Sequence, residues 1–217
     1  AYCGIEYVLE PRCGETVFVS GAAGAVGSVA CQLAKHRGCI VIGSASSDDK
    51  LRWLRHELGV DHVINYRTQD LTAALRDAAP DGSDVSFDHV GGKTLEAMIS
   101  AAKIKSRIGL CGTIAQYNDA NYRAGPSNFF AVIEKGLVLK GMSSALYRER
   151  QGEVLEDLAA RLGSGRLLCR ETVMDGIENA VTAFRQMMMG GNTGKRVVRL
   201  ADPPSWARPA SAPASPP

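Results

Sequence analysis

Three glycines spaced three apart, Gly21, Gly24 and Gly27, stand between a run of β-branched residues and a helical pattern. The run Thr16 to Ser20 (TVFVS), bounded by Gly14 and Gly21, reads as a buried strand. Beyond the glycines, Val26, Val29, Ala30, Leu33 and Ala34 share one helical face. Strand, glycine turn and helix together predict a phosphate-binding unit. Small residues let the backbone approach a pyrophosphate, and the free N–H groups and dipole of a helix start favour negative charge. The spacing is G-x-x-G-x-x-G, so Ala22 or Ala23 stands where the usual G-x-G-x-x-G pattern has a glycine. The competing reading is a plain tight turn, and the flanking strand and helix weigh against it.

The alternation continues. Cys39 to Gly43, His62 to Asn65, Asp84 to Val90 and Arg107 to Cys111 read as further strands. Between them lie helical patterns from Ser46 or Ser47 to Leu58, from Leu71 to Ala79, and from Gly91 and Gly92 onward. Short connections between alternating strands and helices predict an α/β fold, a doubly wound parallel sheet of the dinucleotide-binding type. Its ligand lies across the carboxyl ends of the strands. Ala1 to Glu10 reads as a short helix. After a polar loop from Gly112 to Ser127 come a helix at Phe129 to Lys135 and a strand at Leu137 to Met142. A helix at Arg148 to Leu162 is expected to turn Val154, Leu155, Leu158 and Leu162 inward. A helix at Ile177 to Met189 ends in three methionines read as core filler, and Lys195 to Leu200 reads as a closing strand. The domain spans 1–200. The segment 201–217, rich in Pro, Ala and Ser, is expected to be disordered.

With 217 residues, 45% of them hydrophobic, the chain is long enough to bury a core without a metal or disulfide. The net charge of +2 comes from interspersed signs, which argues against a nucleic-acid face or a membrane patch. Six cysteines form no C-x-x-C pair, and free thiols in a reducing compartment are expected. Cys31, Cys39 and Cys111 sit in apolar patterns. His36, His56 and His62 have no carboxylate or cysteine partner in pattern, so no metal site is expected. No stretch is long and apolar enough to span a membrane. The chain starts at Ala1, without a Met or a signal peptide, and reads as beginning inside a longer sequence.

The end of the second strand reads Gly43, Ser44, Ala45, Ser46, without the acid that holds a ribose 2′-hydroxyl in NAD sites. Lys50 and the serines can receive a 2′-phosphate instead, which favours NADP. The plainer alternative leaves Lys50 solvated and makes Asp48 and Asp49 helix-start charges.

Taken together, GAAGAVGSVACQLAKHRGC, GSASSDDK, INYRT, PDGSDVSFDHVGGKTLEA, GLCGTIAQYN and MMMGGNTGK resemble the medium-chain dehydrogenase/reductase superfamily. Within it they are similar to the zinc-free, NADPH-dependent alkenal double-bond reductases, the prostaglandin and leukotriene type. The resemblance implies that Gly24, Ala25, Val26 and Gly27 carry the pyrophosphate. It implies that Lys50 binds the 2′-phosphate with Tyr66 beside the adenosine end. Cys111, Gly112, Thr113, Ile114, Ala115, Gln116 and Tyr117 would line the nicotinamide half, and Asn192 would close on the same cofactor. The family pattern is departed from at two places. His89 stands where D-N-V-G-G has Asn, and Met142, Ser143 and Ser144 stand where an aromatic and aliphatic run is usual. The β-rich GroES-like domain that opens family members is absent from this sequence.

The implied reaction is reduction of a carbon–carbon double bond conjugated to a carbonyl, in alkenals, enones or 15-oxo-prostaglandin-like molecules. Hydride goes from NADPH to the β-carbon, and the enolate is then protonated. Tyr117, or a ribose hydroxyl that it orients, is the candidate donor. Quinone reduction and a cofactor-binding module without catalysis stay open as alternatives. The resemblance also implies a cytoplasmic protein with a small-molecule partner, no nucleic acid and no membrane, and it leaves a homodimer open.

Overall fold

A computed structural model describes residues 1–117 and 125–200 of the chain. Six strands form one wholly parallel sheet in the order β3-β2-β1-β4-β5-β6. They are β1 (Thr16–Val19), β2 (Ile40–Ala45), β3 (His62–Asn65), β4 (Ser83–Asp88), β5 (Ala102–Leu110) and β6 (Val138–Gly141). The expected doubly wound architecture is the one observed. Right-handed crossovers from β1 outward to β3 put α1 (Ala25–His36) and α2 (Asp48–His56) on one face. The return to β4 puts α3 (Leu71–Ala78) and α4 (Gly92–Ala101) on the other. The winding reverses between β1 and β4, and a crevice opens there beyond the carboxyl ends.

The two faces have separate cores. Along β1 the side chains alternate, so Val17 and Val19 pack with Leu33, Val41, Leu54 and Phe87 on the α1 and α2 side. Phe18 points the other way, into a cluster with Ile42, Leu75, Met98 and Ile108 under α3 and α4. Burial on both faces explains why the strand reads as a continuous apolar run.

Several boundaries differ from the sequence reading. Residues 1–10 form a wide helical turn at Gly4–Leu9, closed by Glu10 at φ 45°. β2 runs on to Ala45 because Ser44 and Ala45 pair with Ile64 and Asn65 of β3. β5 starts earlier, directly from the end of α4. The patterning missed β7 (Glu171–Asp175), which pairs in parallel with β8 (Lys195–Arg199) as a separate two-stranded sheet. Its alternation of exposed and half-buried residues gives no apolar run to detect.

Two packing expectations are corrected. After α5 (Phe130–Glu134) and β6, a 3₁₀ turn (Ser144–Arg150) precedes α6 (Gln151–Gly163), where Leu155 is 57% and Leu162 44% exposed and Val154 and Leu158 are half-buried. α6 meets the rest of the fold through polar groups instead. Tyr2 donates its hydroxyl to Asp157 at 2.8 Å, and Arg161 approaches His36 at 3.2 Å. The three methionines close the short α7 (Ala180–Met188) without entering either core, and Met189 is 66% exposed. Six free cysteines are present, and burial pushes the Cys31 thiol up to about 12. Cys111, expected to be a buried apolar group, is exposed because it follows the last residue of β5. The segment 201–217, read as disordered, lies outside the described residues.

Phe18→Ala opens a cavity between β1 and the α3/α4 layer. We expect it to cost about 3–5 kcal/mol in chemical unfolding; a loss below about 1 kcal/mol would show that this second core does not hold the sheet.

Candidate functional site

The crevice is shaped by turns that only particular backbones can make. Gly21 leaves β1 at φ +50°, and a Cβ there would stand 2.7 Å from the His89 ring. At Gly27 a Cβ would meet the Gly21 carbonyl oxygen at 2.5 Å and Ala22 Cα at 2.8 Å. The turn and the first turn of α1 are therefore packed backbone to backbone, as a phosphate cradle requires. α1 begins after Gly24 with no side-chain cap, no acidic residue in its first turn, and Val26 exposed. Its first N–H groups and positive dipole end are left for an anion.

Across the crevice, Asp88 ends β4 with 1% exposure. Its carboxylate accepts from the N–H groups of Val90 (2.9 Å) and Gly91 (3.0 Å) and from the Ser20 hydroxyl (3.0 Å). Ser20 Oγ in turn accepts from the His89 N–H at 3.1 Å. One buried carboxylate thus ties the exits of β1 and β4 together. Sequence patterning gave no sign of this network, because its members lie 68 residues apart.

His89 sits over Gly21 with its Nδ1 buried and without a hydrogen-bond partner. Burial lowers its pKa, opposed in part by the Asp88 charge and the Gly21 backbone, so the ring is neutral at physiological pH. An orphaned nitrogen in a crevice with an uncapped helix start fits a polar ligand that brings its own hydrogen-bonding groups.

The residues after β5 line the same edge. Cys111 donates its N–H to Asp88 O at 2.7 Å and Ala115 to Val90 O at 3.0 Å. Gly112 and Thr113 thereby lie against the His89–Gly91 turn. Ile114–Gln116 form a 3₁₀ turn, and Tyr117 follows with 65% exposure. Beyond β6, Ser143 and Ser144 are exposed on this edge, whereas the Met142 side chain points inward. Its sulfur fills the space left by Gly4 and Gly109.

At the other end of the edge lie Lys50 and Tyr66. Lys50 Nζ donates to the Gly190 carbonyl at 2.6 Å and to Ser46 Oγ at 3.2 Å. Burial lowers its pKa, and the neighbouring Arg67 lowers it further. Tyr66 is 45% exposed beside a cavity of about 540 Å³ between α3 and α4. The Gly190–Gly194 turn runs from Lys50 back to the glycine turn, where Gly194 N–H donates to Ala23 O at 2.8 Å. Asn192 lies within that turn and donates to Gly194 O at 2.7 Å. The residues singled out in the sequence thus share one edge of the sheet, with Met142 Sδ turned away from it. Ser20, Asp88 and Arg67 were missed, although the INYRT motif carries a cation directly after Tyr66. Among the described residues, no three His, Cys, Asp or Glu side chains come together as a metal site.

The zinc-binding dehydrogenase family matches residues 25–160. The tobacco (Nicotiana tabacum) protein named 2-alkenal reductase (NADP(+)-dependent) is 41% identical over 93% of this chain and 59% of its own length. Mouse (Mus musculus) prostaglandin reductase 1 is 42% identical over 92% of this chain and 61% of its own. Among solved structures, CurA from Vibrio vulnificus in complex with NADPH superposes with a TM-score of 0.87 at 34% identity, over 93% of this chain and 61% of that one. The chain therefore spans about 60% of the length of the curated relatives it matches.

Asp88→Ala strands the Ser20 hydroxyl and two backbone N–H groups. We expect a cost of about 2–4 kcal/mol in urea unfolding, with Asp88→Asn losing less. Equal stability of Asp88→Ala and the parent would show that the two strand exits hold each other without the carboxylate.

Proposed function

The chain belongs to the zinc-binding dehydrogenase family of the medium-chain dehydrogenase/reductase superfamily, and we propose that it holds the NADPH of a reductase acting on α,β-unsaturated carbonyls. The observation that carries this reading is the pairing, on one sheet edge, of an uncapped α1 start with a lysine that, among the described residues, donates to a carbonyl and a hydroxyl and to no acid. The first suits a pyrophosphate. The second suits the 2′-phosphate that distinguishes NADPH from NADH, and no acid at the end of β2 competes for the ribose.

In this reading Gly24, Ala25, Val26 and Gly27 carry the pyrophosphate: Gly24, whose N–H donates to Gly21 O, gives the close backbone approach, and Ala25, Val26 and Gly27 offer backbone N–H groups. Lys50 and Tyr66 hold the adenosine end. His89, the 111–117 segment, Ser143 and Ser144 surround the nicotinamide half, with the Met142 backbone setting the path of the two serines, and Asn192 closes on the cofactor from the Gly190–Gly194 turn between Lys50 and the glycine turn. Bound NADPH supplies a hydride for the β-carbon of an enal or enone. The chain's own groups bind and orient the reactants, and the exposed Tyr117, or a ribose hydroxyl that it orients, is the donor for the enolate proton. We assign the chemistry no metal.

The names of the relatives favour alkenals and prostaglandin-like enones as the substrate class. The same reading places the protein in the cytoplasm. It leaves β6, an edge strand beside exposed Phe130 and Ile133, as the surface for a homodimer, which sedimentation velocity would refute by finding a monomer.

Titration calorimetry tests the reading. NADPH should bind at least about tenfold more tightly than NADH, and Lys50→Ala should reduce that preference while leaving NADH unchanged. Equal affinity for the two, or binding of neither, would sink it. Parallel assays of NADPH oxidation with nonenal and with a quinone then separate the enone reading from quinone reduction.

A further inference from the structure

The 2′-phosphate end of the site holds two cations. Lys50 Nζ lies 2.6 Å from Gly190 O, and Arg67 Nη2 lies 3.4 Å from Met189 O, the preceding carbonyl. Ser46 Oγ and Arg67 Nη2 also flank Gly190, at 3.8 and 3.9 Å from where its Cβ would be. The nearby acids are occupied elsewhere. Asp48 accepts from Asn65 Nδ2 at 2.9 Å, and Asp49 pairs with Arg52. Among the described residues, neither Lys50 nor Arg67 forms an ion pair. A carbonyl is dipolar but uncharged, so the two positive charges stand side by side uncompensated.

One cation suffices for a monoanion. Two beside a serine hydroxyl match a phosphate monoester, which carries about −1.5 to −2 at neutral pH and offers three acceptor oxygens. Arg67 adds what a lysine cannot, a planar fork that can take two phosphate oxygens at once. Resting on the NADPH reading above, we propose that Arg67 shares the 2′-phosphate with Lys50 and Ser46. The Met189 and Gly190 carbonyls are stand-ins that the phosphate displaces. The Gly190–Gly194 turn reaches from these cations to Ala23 in the glycine turn, so ligand at the phosphate end acts on a segment that also borders the pyrophosphate.

The test is calorimetric titration of the parent, Arg67→Ala, Arg67→Lys and Lys50→Ala with NADPH, NADH and 2′,5′-ADP, which has the 2′-phosphate but no nicotinamide. Arg67 is exposed, so the substitutions leave the core untouched. Arg67→Ala should weaken NADPH and 2′,5′-ADP alike by about tenfold or more and leave NADH unchanged, with Arg67→Lys in between. Parent-like affinity of Arg67→Ala for NADPH and 2′,5′-ADP, with Lys50→Ala still weakened, would overturn the role of Arg67 and leave the NADPH reading standing. A parent chain that binds NADPH no better than NADH would overturn both.

Discussion

The Asp88 carboxylate is the interaction on which the geometry of the crevice depends. Reversal of strand order between β1 and β4 creates the opening, but order alone does not fix its shape. Two chain exits must hold a set distance while presenting backbone rather than side chains. Asp88 achieves this from below, accepting from Ser20 on one side and from Val90 and Gly91 on the other. Because its partners are short and the group is buried, the arrangement has little room to relax. The His89 backbone is then held to the same pair by its N–H, which donates to Ser20 Oγ.

The edge is electrically graded along its length. Beneath the glycine turn lies the N-terminal end of α1, a partial positive charge spread over free N–H groups. Further out, Lys50 and Arg67 supply full charges that, among the described residues, meet carbonyls and the Ser46 hydroxyl but no acid. Elsewhere the basic residues near acids are paired, as Lys35 is with Asp61 and Lys103 with Asp84. Leaving two cations unpaired side by side destabilises the chain on its own and favours a state in which an anion lies between them.

The parts of this plan visible in the sequence were those encoded locally. Gly21, Gly24 and Gly27 with the TVFVS run announced the turn, and short apolar runs between glycines and helical patterns announced six strands of the sheet, most plainly β1, which is buried on both faces. The missing acid after Ala45 and the presence of Lys50 are likewise local. What could not be read depended on distance or on the absence of covering partners. Ser20 and Asp88 meet across 68 residues. β7 has only β8 beside it and shows no buried run. The stripe of α6 carries a proper helical period, but period says which residues share a face and not whether anything packs against it. Arg67 was not singled out, because what it meets, the Met189 carbonyl, comes from 122 residues away.

His89 shows how a departure from a family pattern can keep its chemistry. A neutral imidazole offers one donor and one acceptor, and a carboxamide in the same place also offers both kinds of group. The ring is larger, and the added volume must go somewhere. It goes over Gly21, where a Cβ would lie 2.7 Å from Nε2. Thus the glycine that turns the chain out of β1 also makes space for the histidine that follows β4. Burial lowers the pKa of the ring, so the buried, unpartnered Nδ1 belongs to a neutral group that adds no third positive charge. The histidine, the glycine and the carboxylate below them form one packed unit. A substitution at Gly21 would therefore disturb His89 before it touched any ligand.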